Sequence, residues 1–251
     1  MNKKIIELNN ISVYYYTLKE ETQALKNISF DVYNKEFLSI VGPSGCGKST
    51  LFSIISGLIT PQVGEILINN RPRENYNFNI GYMLQQDHLL EWRTVRKNVE
   101  LGLEIQKNLN NDTQNYVLKL LHKYGLGGFL DYYPSQLSGG MRQKLALIRT
   151  MALNPEILLF DEPFSALDFQ SKIKIADEIK KIVKSENKTA ILITHDILEA
   201  ISLSDRVITL SGQPGQIKNI VNIEIPEASS LERRKHEKFN FYFELIWRGI
   251  E

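Results

Sequence analysis

The stretch VGPSGCGKST, Val41–Thr50, constrains the fold more than any other part of this 251-residue chain. A largely apolar run, Phe37–Val41, leads into it, and LFSIISGL follows. A buried strand must therefore pass straight into a helix through a loop too rich in glycine and hydroxyls to pack as core. Glycines at Gly42, Gly45 and Gly47 let backbone N–H groups turn inward with no side chain in the way. The positive end of the helix dipole points at the same spot.

Gly42-x4-Gly47-Lys48-Ser49 fits the pattern of a phosphate-binding loop and has the strand and helix that such a loop requires. Gly42, Pro43, Ser44, Gly45, Cys46, Gly47, Lys48, Ser49 and Thr50 are the expected cradle of a nucleoside triphosphate. Lys48 places a full charge near the β- and γ-phosphates, and the Ser49 hydroxyl is suited to Mg²⁺. Cys46 reads as a small filler; the rival reading is a thiol activated by the helix N-terminus.

A second buried run, Ile157-Leu158-Leu159-Phe160, ends in Asp161-Glu162-Pro163. In open α/β sheets ligands sit at the carboxyl ends of the strands. Asp161 is a candidate Mg²⁺ ligand, and the longer Glu162 is a candidate general base for an attacking water. Loop and acids together favour hydrolysis over mere nucleotide storage.

The rest of the chain reads as one α/β unit. Thr189–Thr194 (TAILIT) is a third buried strand, and Ile5–Tyr16, Ile28–Val32, Glu65–Ile68 and Ile80–Leu84 look like strands of a β-rich edge. From about Thr94 to Leu153 the period turns helical, as if a helical subdomain were inserted between core segments 1–93 and 154–225. A C-terminal helix is expected over about 226–251, opened by a capping box at Ser229 and Glu232 and ending in FNFYFELIW, which reads as core-docked.

Composition narrows the partners. With 30 Lys+Arg against 29 Asp+Glu, nothing argues for nucleic acid. The short basic runs Lys3-Lys4, Lys180-Lys181 and Arg233-Arg234-Lys235 read as solvated faces. A single cysteine forbids an internal disulfide and suits a reducing compartment. No secretory leader is apparent, and no apolar run approaches the ~18 residues that span a bilayer, so any action at a membrane needs a partner.

Ser138-Gly139-Gly140 opens another helix, Met141–Leu153, with free N–H groups beside a hydroxyl. Alone it is an ordinary helix cap. Beside a complete phosphate loop it suggests a second anion site. GPSGCGKST, LSGGMRQ, ILLFDEP, SALD and TH, in this order and at this spacing, resemble the ATP-binding subunit of an ABC transporter from about Ile5 to the tail. The resemblance implies a P-loop NTPase (RecA-like) core with a β-rich edge and an inserted helical subdomain. It also implies a head-to-tail dimer holding two ATP molecules, with Ser138, Gly139 and Gly140 acting on the nucleotide of the facing subunit.

By the same resemblance Tyr15 stacks on adenine, with Tyr14 and Tyr16 as alternative registers. Gln85 is the glutamine that touches Mg²⁺ or water, with Gln86 its rival. Asp168 makes the contact across the dimer, and His195 is the switch histidine beside Glu162. The segment Gln85–Val95 (QQDHLLEWRTV) is similar to the Q-E-D-x-L-L-P-W-x-T-V of the nitrate/sulfonate/taurine importer branch, with Gln86 and Glu91 departing from it. Leu210–Ile217 (LSGQPGQI) is similar to the branch's L-S-x-x-P-G-x-I. A separate transmembrane permease then docks at Gln85–Val95, with Leu89, Leu90 and Trp92 as groove residues or, alternatively, core. An extracytoplasmic solute-binding protein acts indirectly, and the chain lies peripherally at the cytoplasmic face of the cell membrane. The competing readings are a soluble ABC ATPase with a non-membrane partner, a lipoprotein-releasing type of exporter subunit, and a small-molecule kinase, which would leave Ser138 idle.

Overall fold

The computed structural model describes residues 3–16, 20–73 and 79–250. β1 (Lys4–Tyr16) and β2 (Glu21–Tyr33) pair antiparallel, and β3 (Phe37–Val41) then enters a second sheet. α1 (Lys48–Ser56) leaves the loop after β3, and β4 (Val63–Ile68) with β5 (Arg71–Pro72) returns to the first sheet. β6 (Ile80–Met83) joins the second sheet and is followed by α2 (Val95–Ile105), α3 (Asn111–Lys123) and α4 (Gly139–Met151). β7 (Ile157–Asp161), α5 (Phe169–Ser185), β8 (Thr189–Thr194), α6 (Ile197–Leu203), β9 (Arg206–Leu210) and β10 (Ile217–Asn222) complete the core. α7 (Ser230–Arg234) and α8 (Phe239–Ile250) close the described chain.

The first sheet has the order β2-β1-β4-β5 and the second β10-β9-β3-β8-β7-β6. β9, β3, β8, β7 and β6 run parallel, with β10 antiparallel at the edge. The parallel strands are buried on both faces, and their residues alternate between two cores. Leu158, Phe160, Ala190 and Leu192 pack beneath α2–α5. Ile157, Leu159, Ile191 and Ile193 pack toward α1 and the first sheet. A one-residue slip would exchange these two sets, so the packing fixes the register. That register sets Val41, Asp161 and Thr194 at one carboxyl edge, where β3 and β8 pair Val41 with Thr194 and β7 and β8 pair Asp161 with Ile193.

The apolar strands and the helical middle lie where the periodicity puts them. Three expectations change. Ile80–Met83 belongs not to the β-rich edge but to the second sheet, where it pairs parallel with β7. The tail is two helices, not one, with turns at 233–239 closed by His236 N–H to Arg233 O and Phe239 N–H to His236 O. Arg233 and Lys180, read as solvated, are 2% and 3% exposed. α7 packs on α5 and α6, so the Arg233 guanidinium reaches the carbonyl of Ser204 at the C-terminal end of α6, at 2.9 Å. A cation is favourable there because the helix dipole is negative at that end. Lys180 pairs with Glu227 at 2.9 Å.

α8 docks with one face only. Phe239, Tyr242 and Ile246 are buried against α6, β9 and β10, and the Tyr242 hydroxyl accepts the Glu224 N–H at 3.0 Å. Phe241 and Trp247 remain exposed. Ile246→Ala is therefore expected to cost about 2–4 kcal/mol, lowering the melting temperature by about 5–15 °C. Phe241→Ala should stay within about 0.5 kcal/mol of wild type in the same thermal unfolding measurement.

Candidate functional site

The loop after β3 is shaped by contacts that tolerate no side chain. A Cβ on Gly42 would lie 2.8 Å from Cys46 Sγ and 3.0 Å from Leu210 O. Gly47, the N-cap of α1, has φ +93°, and a Cβ there would meet Leu25 Cδ2 at 2.7 Å. Within this turn the Lys48 ammonium donates to Gly42 O at 2.8 Å and Pro43 O at 2.9 Å, which holds the cation inside the loop. Ser44, Gly45, Gly47, Lys48, Ser49 and Thr50 line a cleft with Asp161 and Glu162. Cys46 is fully buried, and burial pushes its thiol above the ordinary range despite Lys48. Burial and the raised thiol both favour the filler reading over an activated thiol.

Tyr15 reaches the helix that leaves this loop, its hydroxyl 3.2 Å from Thr50 Oγ1 in the first turn of α1, but does not line the cleft. Tyr14 faces the other way, its hydroxyl accepting from Gln23 Nε2 at 2.9 Å. Strand alternation separates the two, so Tyr15 is the tyrosine of the three with a hydrogen bond to α1.

Asp161 ends β7 half-buried. Burial pushes its carboxyl above the ordinary range, Tyr82 Oη donating to Oδ2 at 3.3 Å opposes this, and neighbouring Glu162 reinforces it. A cation in the cleft would relieve that cost. The Ser49 hydroxyl and Asp161 carboxylate supply the hard oxygen donors that Mg²⁺ takes. Among the described residues no group of three or more His, Cys, Asp and Glu could hold a metal ion.

Glu162 sits in the left-handed region at φ +45°, an uncommon conformation for a side chain of this size. Its N–H donates to Ile193 O at 2.9 Å, which fixes it to β8. His195, just past β8, brings Nδ1 to 3.1 Å from Glu162 Oε2. Two motifs far apart in sequence thus meet at one carboxylate.

The signature residues are elsewhere. Ser138 caps α4, its Oγ accepting from Met141 N–H at 3.4 Å. Ser138, Gly139 and Gly140 share a second cleft with Asp168, which caps α5 by accepting from Gln170 and Ser171 N–H at 3.1 Å each. The hydrogen bonds from Ser171 and Gln170 hold the Asp168 carboxyl below its ordinary range. Neither cleft contains residues of the other.

Gln85 and Gln86 are exposed just beyond β6, and neither lines the phosphate cleft. The segment that follows is tied to α4. Arg142 donates to both oxygens of Asp87, at 2.7 and 3.0 Å, and to Glu91 at 2.7 Å. Arg149 donates to the carbonyls of Asp87 and His88. Burial pushes the Asp87 carboxyl up, but Arg142, the Leu89 N–H and Arg149 outweigh it and hold it below the ordinary range. Buried Asn98 accepts from Leu90 N–H and donates to the carbonyls of Leu90, Arg93 and Thr94. Sequence reading missed Asp87, Asn98, Arg142 and Arg149 in this role. Their only signal is a polar residue at an otherwise apolar helix position, and Asn98 alone gives it. Leu89 belongs to the core, Leu90 is half-buried and Trp92 is 75% exposed.

The ABC transporter family description matches residues 25–165. An ABC transporter ATP-binding protein of Bacillus subtilis, YtlC, is 44% identical over 98% of this chain and 95% of its own. The taurine import ATP-binding protein TauB of Yersinia pestis is 39% identical over 77% of this chain and 76% of its own. The aliphatic sulfonates import ATP-binding protein SsuB of Bacillus cereus is 34% identical over 88% and 87%. Among solved structures, a dimer of the cassette MJ0796 bound to ADP and Pi matches with TM-score 0.74 and 33% identity, covering 88% of this chain and 99% of that one. No helix among the described residues is long and apolar enough to cross a membrane.

Breaking the Arg142 clamp gives a direct check on its energetics. Arg142→Met is expected to cost about 2 kcal/mol at pH 7, read as a melting temperature lower by about 4–8 °C. Because Asp87 is held low, its contribution is present above the unfolded carboxyl value of about 3.9 and is lost as pH falls below it. Wild type and Arg142→Met should thus differ less in unfolding experiments at pH 3 than at pH 7.

Proposed function

The chain belongs to the ABC transporter family as an ATP-binding, ATP-hydrolysing subunit, and from that premise we propose that it is the motor of an importer for a small sulfonate- or taurine-like solute. The observation that carries the motor reading is the separation of the two clefts. One holds the phosphate loop, Asp161 and Glu162; the other holds Ser138, Gly139, Gly140 and Asp168. Each is half of a triphosphate site, and a second copy turned head to tail completes both. Closed symmetry makes that copy identical by default.

In this reading the backbone N–H groups from Ser44 to Thr50 bind the triphosphate, with Tyr15 against the adenine. Lys48 leaves the loop carbonyls for the β- and γ-phosphate oxygens. Ser49 and Asp161, with Gln85 entering from the loop after β6, are the residues that would hold Mg²⁺, which when bound neutralises phosphate charge. Glu162 takes the proton of the attacking water as its oxygen bonds to the γ-phosphorus and the bond to the β,γ-bridging oxygen breaks. His195, 3.1 Å from Oε2, orients that carboxylate. Ser138 and Asp168 act from the facing subunit, so hydrolysis waits for closure.

The importer assignment is supported by the similarity to TauB and SsuB over most of the chain. A separate permease supplies the membrane spans and docks at Gln85–Val95, where Trp92 is exposed. The Asp87–Arg142 and Glu91–Arg142 pairs join that surface to the helix that Ser138 caps. The chain then lies peripherally at the cytoplasmic face, and solute choice resides in the permease and an extracytoplasmic binding protein.

Glu162→Gln is expected to slow phosphate release by about 10²–10⁴-fold with nucleotide affinity retained, whereas Lys48→Ala weakens fluorescent-nucleotide binding. Wild-type turnover by Glu162→Gln would refute the assigned base. A tagged chain at low expression, purified from gently solubilised membranes, should bring down a multi-span permease identifiable by mass spectrometry. Recovery with a soluble partner and no permease would refute the importer.

A further inference from the structure

Lys172 stands in the first turn of α5 and belongs to none of the sequence motifs. Its N–H donates to the carbonyl of Asp168 at 2.8 Å. Its ammonium reaches Asp196 Oδ2 at 2.8 Å and Glu199 Oε2 at 2.7 Å. Asp196 directly follows His195 and is held on two further sides. Its N–H donates to Thr194 Oγ1 at 3.0 Å, and its Oδ1 accepts the Glu199 N–H at 3.1 Å, which caps α6. Glu199 is 4% exposed, so its carboxylate depends on a counter-ion. Burial pushes the Lys172 ammonium down, but the two carboxylates outweigh it and hold it charged.

The backbone of Lys172 therefore touches Asp168, which shares the second cleft with Ser138, while its side chain grips the residue next to His195, which contacts Glu162. These contacts join the edge of the second cleft to the reacting carboxylate of the first. We propose that Lys172 is a positioning residue: through Asp196 it sets His195 against Glu162, and it ties that placement to the seating of Asp168 on the facing subunit. The proposal rests on the reading of His195 and Glu162 given above. A residue that merely glued α5 to α6 would carry the same ion pairs, so the test must separate the two roles.

The test is a double-mutant cycle on ATP turnover with Lys172→Met and His195→Ala. Lys172→Met should lower kcat by about 10–100-fold with KM within about twofold of wild type. Lys172→Arg, which keeps the charge and reach, should recover to within about threefold of wild type. Added to His195→Ala, Lys172→Met should slow turnover by no more than about twofold further, because both changes remove the same placement. Full multiplication of the two effects overturns the proposal, as does wild-type turnover by Lys172→Met while His195→Ala is slow. His195→Ala at the wild-type rate refutes instead the reading of His195 on which the proposal stands. If Lys172→Met does not fold, Asp196→Asn breaks the same contact from the other side and enters the cycle with the same outcomes.

Discussion

The backbone ladder of β3, β8 and β7 is what the site depends on. These three parallel strands are buried on both faces, and their alternation between two cores fixes their register. With the register fixed, their carboxyl ends fall in line, and three loops remote in sequence begin at one edge. Val41 opens the phosphate loop, Asp161 opens the turn with Glu162, and Thr194 precedes His195. The cost is accepted locally: Glu162 takes a left-handed backbone that only its bond to Ile193 O and the surrounding sheet make tenable.

Polar contacts then connect this edge to surfaces that have no strand in common with it. Arg142 and Arg149 fasten the Asp87–Glu91 segment to α4, and Lys172 fastens α5 to the start of α6. Most of these pairs are sheltered from solvent, where removing one partner strands the other and costs far more than losing an exposed pair. A helix that carries the Ser138 cap at one end and holds the Asp87–Glu91 segment through two arginines along its length ties those two surfaces together.

Much of this was legible in the sequence, for identifiable reasons. β3, β7 and β8 are largely apolar runs, and a strand buried on both faces leaves that trace. The phosphate loop was legible because close backbone approach demands glycine at fixed intervals. The capping box of Ser229 and Glu232 was legible because both partners lie within one turn, and the structure forms it. Contacts between distant residues left no such trace: nothing in the sequence pairs Arg142 with Asp87 or Lys172 with Glu199. The buried Arg233 was misread because a basic run looks the same whether it faces water or a helix end. Leu89 and Trp92 sit three residues apart in one motif, yet one is core and the other surface.

In the proposed motor, one chain carries two half-sites that ATP joins across two copies. The most direct measurement is the mass of Glu162→Gln in solution, by light scattering, with and without ATP. With ATP the mass should be about twice the 28.9 kDa of one chain, and it should fall to the monomer mass when Ser138→Arg is added. A monomer at saturating ATP, or a dimer indifferent to Ser138→Arg, would refute the two-copy site.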